Sequence, residues 1–267
     1  MQAANRLQKA LKTGQPSFGG WQMLPGANLS RAIARTPGLD FVVVDGEHGN
    51  IADADLHDSV AAIAACGVSP VVRVAEGQHW MIKRALDAGA HGIIVPLIQS
   101  VEDAKNVVKY SKFPPHGNRG LGSPFAAEKF APGKTGDINE ISLSQYFKEA
   151  NDSILVIVQI ETASALQQIK EIAAIDGIDV CFIGPVDLGN SIGHPPENVG
   201  VYAPELEQAI EKIHQETQAA GKWTGIYTGS GEQAKTFADR RFNLINVVND
   251  VGAIRKSFAE AAAAARK

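Results

Sequence analysis

The sequence predicts a (β/α)8 barrel, and three observations predict it. Eight short apolar runs recur along the 267 residues, separated by stretches with helical spacing. The runs lack the apolar–polar alternation of a half-exposed antiparallel sheet, so they read as parallel strands covered on both faces. Polar residues gather just past the ends of the runs, at the C-terminal strand tips where such barrels carry their chemistry. The competing architecture is a doubly wound open sheet, but the first strand–helix turn lacks that fold's phosphate-binding glycines. No linker divides the chain, so residues 1–267 read as one domain.

The elements follow in order. MQAANRLQKALKTG is an opening helix, and SFGGWQM is a first strand ending near Trp21. NLSRAIART is helical, with Asn28 or Ser30 as its N-cap. FVVVDGEHGN holds the second strand, whose apolar run stops at Val44 with Asp45, Glu47 and His48 directly after. DADLHDSVAAIAACG is a helix ended by Gly67. PVVRV is the third strand, HWMIKRALDAGA a helix, HGIIVPLIQS the fourth strand and VEDAKNVVKYS its helix. Residues 112–153 break the rhythm. FPPHGNRGLGSP and APGKTGD read as a long inserted loop with short helices, and loops of that length are usually functional or disordered. ILVIVQI is strand five, ALQQIKEIAAI a helix and DVCFIG strand six, followed by a second Pro/Gly loop, GNSIGHPPENVG. APELEQAIEKIHQETQAAG, KWTGIY, EQAKTFADRR and NLINVV supply the last two helix–strand pairs, and DVGAIRKSFAEAAAAARK a final helix.

Bulk properties narrow the function. A net charge of −4 without a basic run gives no footprint for nucleic acid. No apolar run approaches the roughly 18 residues of a membrane span. No acidic residue precedes Asp40, as in a transit peptide, but the first strand begins near Phe18 and leaves little to cleave. The chain therefore reads as cytoplasmic. Cys66 and Cys181 each lie inside apolar segments, as buried small hydrophobes do.

The strand tips carry the chemistry. Glu161 and Asp187 end neighbouring strands 26 residues apart and could share one hard divalent cation, with water and substrate oxygens completing its shell. Both could instead cap the following helices; Glu is a poor N-cap, so Glu161 is the stronger signal. Arg73 interrupts an apolar run, where a charge needs a partner. It is either half of an ion pair or a cation that holds an oxyanion. His48, beside Asp45 and Glu47, suits proton abstraction near neutral pH. The six other histidines have no such company. No strand tip offers a lysine for an imine, so a carbanion formed here calls for a metal.

VVDGEHGN, PVVRV, ALDAGAHGIIVPLIQSVEDA, PPHGNRGLGS, VIVQIET and FIGPVDLGNSIG together resemble the HpcH/HpaI aldolases, metal-dependent (class II) pyruvate aldolases. The resemblance runs from about Phe18 to the end of strand eight. It implies Glu161 and Asp187 as ligands of a divalent metal (Mg2+, with Mn2+ or Co2+ as substitutes), His48 as base and Arg73 as the enolate's partner. It further implies that Asp87 raises the basicity of His48 and that Gln159 contacts substrate. Gly184, Val186 and Asp187 would receive the pyruvate carboxylate, and Trp21 would wall the pocket. It implies a homo-oligomer too, a hexamer built as a trimer of dimers, with the last helix exchanged between neighbours. Three features depart from the pattern: Val186 stands where many relatives have alanine, Gly189 replaces a common serine, and IYTGSGEQA follows its own course after strand seven.

The expected reaction is reversible retro-aldol cleavage of a 4-hydroxy-2-oxo acid, such as 4-hydroxy-2-oxoheptanedioate, to pyruvate and an aldehyde. Three alternatives stand beside it. One is decarboxylation of oxaloacetate through the same enolate, as in macrophomate synthase. The second is citrate-lyase-type action on a CoA ester, for which no nucleotide-binding feature is seen. The third is a non-catalytic barrel that binds a 2-oxo acid.

Overall fold

In the computed structural model, which describes residues 1–130 and 141–266, eight parallel strands close into a barrel in chain order. They are β1 (Ser17–Gln22), β2 (Phe41–Asp45), β3 (Ser69–Arg73), β4 (Gly92–Val95), β5 (Leu155–Ile160), β6 (Val180–Ile183), β7 (Trp223–Tyr227) and β8 (Leu244–Asn249). β8 pairs with β1 across a register shift at Gly19/Gly20.

Side chains alternate along each strand, and this sorts the apolar residues into two layers. Val42, Val44, Val72, Val156, Val158 and Ile160 point outward and pack under the helices. Phe41, Val43, Val71, Ile94, Leu155, Ile157, Val180, Phe182 and Leu244 point inward and fill the barrel. Complete burial of one such side chain is worth about 1.5–3 kcal/mol. The interior is fitted by pairing size with absence of size: a Cβ on Gly19 would lie 2.3 Å from the Phe41 ring, and one on Gly225 2.4 Å from the Phe182 ring.

The lower mouth is closed by α1 (Arg6–Lys12). Its Leu7 and Leu11 join the interior cluster, and Asn5 caps it by accepting from the Gln8 N–H. At the same end His91 stacks on Phe130, with Nε2 2.7 Å from the Lys129 carbonyl. Burial depresses the His91 pKa to about 4.

The helical layer comprises α2 (Ala27–Ala34), α3 (Asp53–Ala64), α4 (His79–Asp87), α5 (Val101–Ser111), α6 (Leu143–Ser153), α7 (Ala163–Gln167), α8 (Ile169–Ala173), α9 (Pro185–Ser191), α10 (Pro204–Ala219), α11 (Gly231–Asp239) and α12 (Asp250–Ala265). Three sequence expectations change. α2 begins earlier, after Gly26: Ser30 Oγ donates to the Gly26 carbonyl and Asn28 accepts from Arg31, so neither caps the helix. The single helix expected between β5 and β6 is two short ones, broken at Gln168, whose amide donates to the Gln99 and Ser164 carbonyls. Of the short helices expected within the loop over 112–153, the last is the longer, eleven-residue α6, capped by Ser142; APGKTGD lies outside the described residues. Both cysteines are free thiols, Cys181 buried and Cys66 half-buried. No described helix is long and apolar enough to cross a membrane.

Candidate active site

At the upper mouth the inward-facing positions turn polar. Counting by twos along β2 leads from Val43 to Asp45, along β3 from Val71 to Arg73, and along β5 from Ile157 to Gln159 and on to Glu161. These inner positions, with β6 and the start of α9, surround a cavity of about 350 Å³ lined by Trp21, Asp45, His48, Arg73, Gln159, Phe182, the Gly184–Asp187 turn and Tyr227. A larger depression of about 730 Å³ lies at the opposite end, between α1 and the end of α3, away from these groups.

Arg73 is buried, and its charge is met on two sides. Asp45 accepts from Nε at 2.9 Å and from Nη2 at 2.6 Å in a two-pronged fork. Glu47 Oε2 lies 2.8 Å from Nη1 without the alignment of a hydrogen bond. Burial alone would raise the Asp45 pKa, but the Arg73 fork and the Trp21 indole N–H, 3.0 Å away, outweigh it and the net shift is downward. The ion-pair reading of Arg73 is therefore realised, and its guanidinium also stands 4.8 Å from the Trp21 ring centre. Trp21 is held in turn against Phe182 at 5.9 Å and edge-on to Tyr227 at 5.3 Å.

Glu161 forms the floor of the acidic side and is 2% exposed. One oxygen accepts from the Leu97 N–H at 2.8 Å and the other from the Gln159 amide. Burial pushes its pKa up to about 7; the Leu97 N–H opposes this, and the charges of Asp187 and Glu47 add to it. Asp187 is not the cap of α9: Gly184 takes that place, Pro185 opens the helix, and Asp187 sits in its first turn. A Cβ on Gly184 would stand 2.3 Å from Glu161 Oε2 and 2.7 Å from Gln159 Nε2, so glycine keeps that space open. Gln159 Oε1 is buried without a partner among the described residues.

These features suit a hard divalent cation. Glu161, Asp187 and Glu47 repel one another, open space adjoins the Glu161 carboxylate, and the donors are oxygens. No group of three or more His, Cys, Asp or Glu poised to hold a metal occurs among the described residues. A two-carboxylate set leaves the other positions to water and substrate oxygens.

The sequence profile of the HpcH/HpaI aldolase/citrate lyase family matches residues 23–257. The chain belongs to this family. Its relatives include a hydroxypyruvate/pyruvate aldolase of Agrobacterium fabrum, 34% identical over 92% of this chain and 88% of that protein. A 2-keto-3-deoxy-L-rhamnonate aldolase of Escherichia coli K12 is 34% identical over 87% of this chain and 82% of that protein. The crystal structure of an HpcH/HpaI aldolase/citrate lyase family protein of Burkholderia cenocepacia superimposes with a TM-score of 0.87. It is 31% identical, covering 98% of this chain and all of that one. The chain is thus an enzyme, a carbon–carbon lyase, and the non-catalytic barrel falls away.

Within this HpcH/HpaI barrel, eight of the nine residues singled out in the sequence meet at one mouth. His48 is exposed at the rim, with Nε2 3.7 Å from Glu47 Oε1. Asp87 is the exception. It ends α4, which runs antiparallel to the strands, so it lies at the lower end of the barrel, 3.2 Å from Arg119 Nη2 and away from the His48 of its own chain. Of the other histidines, His91 and His214 are buried in packing contacts: His214 stacks on Phe242 and meets Thr224 Oγ1 at 3.0 Å. Among the described residues no lysine lines the cavity. Gly189 has a physical reason to differ from serine: a Cβ there would lie 2.7 Å from the His194 carbonyl and 2.8 Å from Pro196, which fold over it.

The sequence motifs place Asp45 and Glu47 at the site and include Phe182 without defining a role for any of them, and Tyr227 lies outside them. Period-two counting from the apolar residues identifies Asp45 and Phe182 as inward-facing. The same count along β7, from Trp223 through Gly225, brings Tyr227 to the inner face, while its edge-on contact with Trp21 depends on a strand remote in sequence.

Proposed function

We propose that this enzyme is a divalent-metal-dependent aldolase that reversibly cleaves a 4-hydroxy-2-oxo acid to pyruvate and an aldehyde. The observation that carries the reading is one cavity lined by Asp187 and, across from it, Arg73, with the buried Glu161 carboxylate directly against Gly184 of its wall. A metal held by Glu161 and Asp187, Mg2+ before Mn2+ or Co2+, would act as Lewis acid toward the 2-oxo group.

The chain's own residues do the rest. The first-turn N–H groups of α9 at Val186 and Asp187 have no helical acceptor and are free for the substrate carboxylate. Arg73, locked by Asp45 before substrate arrives, supplies a fixed positive charge for the oxygen that becomes anionic. His48 takes the C4 hydroxyl proton. The C3–C4 bond then breaks, its electron pair passing to the enolate of pyruvate as the aldehyde leaves, and a proton returns to C3. Gln159 presents its amide to the substrate, and Trp21 walls the pocket.

Asp87 can partner His48 only between copies of the chain, because the two lie at opposite ends of one barrel. We therefore place the enzyme in a homo-oligomer, a hexamer by its resemblance. The exposed α12 fits an exchanged helix: of its side chains only Asp250 is buried, and Phe258 is 74% exposed. A small-molecule 2-oxo acid and a cytoplasmic setting complete the reading. Pyruvate release from a 4-hydroxy-2-oxo acid, coupled to lactate dehydrogenase, is expected to stop in EDTA and return with Mg2+. Turnover that survives complete metal removal would refute the proposal.

A further inference from the structure

We propose that Tyr227 is a hydrogen-bond donor that reads an oxygen on the aldehyde half of the substrate, so that the enzyme prefers short hydroxylated aldehydes to alkyl ones. This rests on the aldolase reading of the site and adds to it the class of the second substrate.

The argument is one of hydrogen-bond polarity. α12 starts at Asn249, whose Oδ1 accepts from the Gly252 N–H at 2.7 Å. A backbone N–H can only donate, so this contact fixes which end of the Asn249 amide faces the helix. The Nδ2 end therefore faces Tyr227, 2.8 Å from the phenol oxygen, and an amide nitrogen can only donate. Tyr227 Oη is thus an acceptor toward Asn249, and its single proton must be given elsewhere. Among the described residues Asn249 is the only hydrogen-bond partner of that oxygen.

Tyr227 ends β7 and lines the cavity, which is where the remaining proton is offered. The ring is held there by its edge-on contact with Trp21, the planes at 85°. Burial raises the pKa of the phenol, which keeps the proton in place. Arg73, Gln159 and the Gly184–Asp187 turn take the pyruvate half of the substrate. With His48 at the C4 oxygen, the lining left for the rest of the aldehyde includes Tyr227, Trp21, Met23 and Phe182. On this wall of aromatic rings and a thioether, the phenol O–H offers a directed donor to an aldehyde oxygen.

Glycolaldehyde and propionaldehyde have the same number of heavy atoms and differ by a hydroxyl against a methyl. Their condensation with pyruvate is to be measured with Mg2+-loaded wild type, Tyr227→Phe and Asn249→Asp. Tyr227→Phe removes the donor and keeps the ring. Asn249→Asp keeps a good helix cap, but its second oxygen accepts the phenol proton and turns it away from the cavity. The ratio of kcat/KM for glycolaldehyde to that for propionaldehyde is expected to fall about fivefold to tenfold in both variants. An unchanged ratio in either one overturns the proposal. Wild type is also to be tested without any aldehyde, by NMR of deuterium exchange at C3 of pyruvate. Exchange with an unchanged ratio would overturn the role of Tyr227 alone; no exchange would overturn the aldolase reading, and this proposal with it.

Discussion

Gly184→Ala tests the site at the point where its geometry is tightest. The backbone at Gly184, φ −98° and ψ 92°, is open to alanine, so any effect comes from the added methyl and not from strain. That methyl would stand 2.3 Å from Glu161 Oε2, and ordinary contact begins near 3.4 Å. The carboxylate must therefore retreat by about 1 Å, or the strand tip must move as far. A misplacement of about 1 Å in a catalytic constellation can cost on the order of a hundredfold in rate. The same shift pulls Glu161 away from Asp187, so metal affinity should fall as well. The assay is kcat/KM for pyruvate release across a Mg2+ titration, with thermal unfolding in parallel to show that the barrel persists. A folded Gly184→Ala protein with wild-type kcat/KM and wild-type metal dependence would refute the assignment of this corner as the metal and carboxylate seat.

Two further outcomes are expected. Asp45→Asn removes the charge that matches Arg73 and leaves a buried guanidinium part-unpaired. Breaking a buried pair typically costs about 3–5 kcal/mol, read here as a lower urea midpoint, with a fall in kcat/KM as Arg73 loses its fixed aim. His91 gives the pH dependence. Its folded pKa of about 4 lies below the value near 6.5 of an exposed histidine. Between those values the unfolded chain binds more protons than the folded one, so stability is lost as pH falls from about 6.5 toward 4. The loss approaches about 3 kcal/mol. His91→Gln should flatten that limb when urea unfolding is followed across the range, and an equally steep limb in the variant would assign the acid sensitivity to other groups.

The barrel is legible in the sequence because strands buried on both faces must be written as continuous apolar runs, and eight of these alternate with stretches of helical spacing. Glu161, Asp187 and His48 are legible for a related reason: each follows such a run and falls on the same rim. What stays hidden depends on partners remote in sequence. The fork on Arg73 needs a residue of another strand to be named. The start of α2 at Gly26 turns on a backbone carbonyl that Ser30 uses, which no propensity anticipates. The break at Gln168 arises because that side chain reaches across to Gln99, 69 residues earlier. Asp87 is the sharpest case, since resemblance assigned it a role but helix direction puts it at the far end of its own barrel.

The helix that stoppers the lower mouth bears on how such an enzyme can change. From Leu7 and Leu11 upward the barrel is a solid pillar of side chains, and Phe182 and Trp21, its top course, are also part of the pocket wall. A pillar of side chains in mutual contact cannot be re-cut at one level without disturbing the next. New specificities are therefore most readily acquired on the parapet above it, at Val186 and Tyr227, where a side chain can be exchanged while the masonry beneath stands.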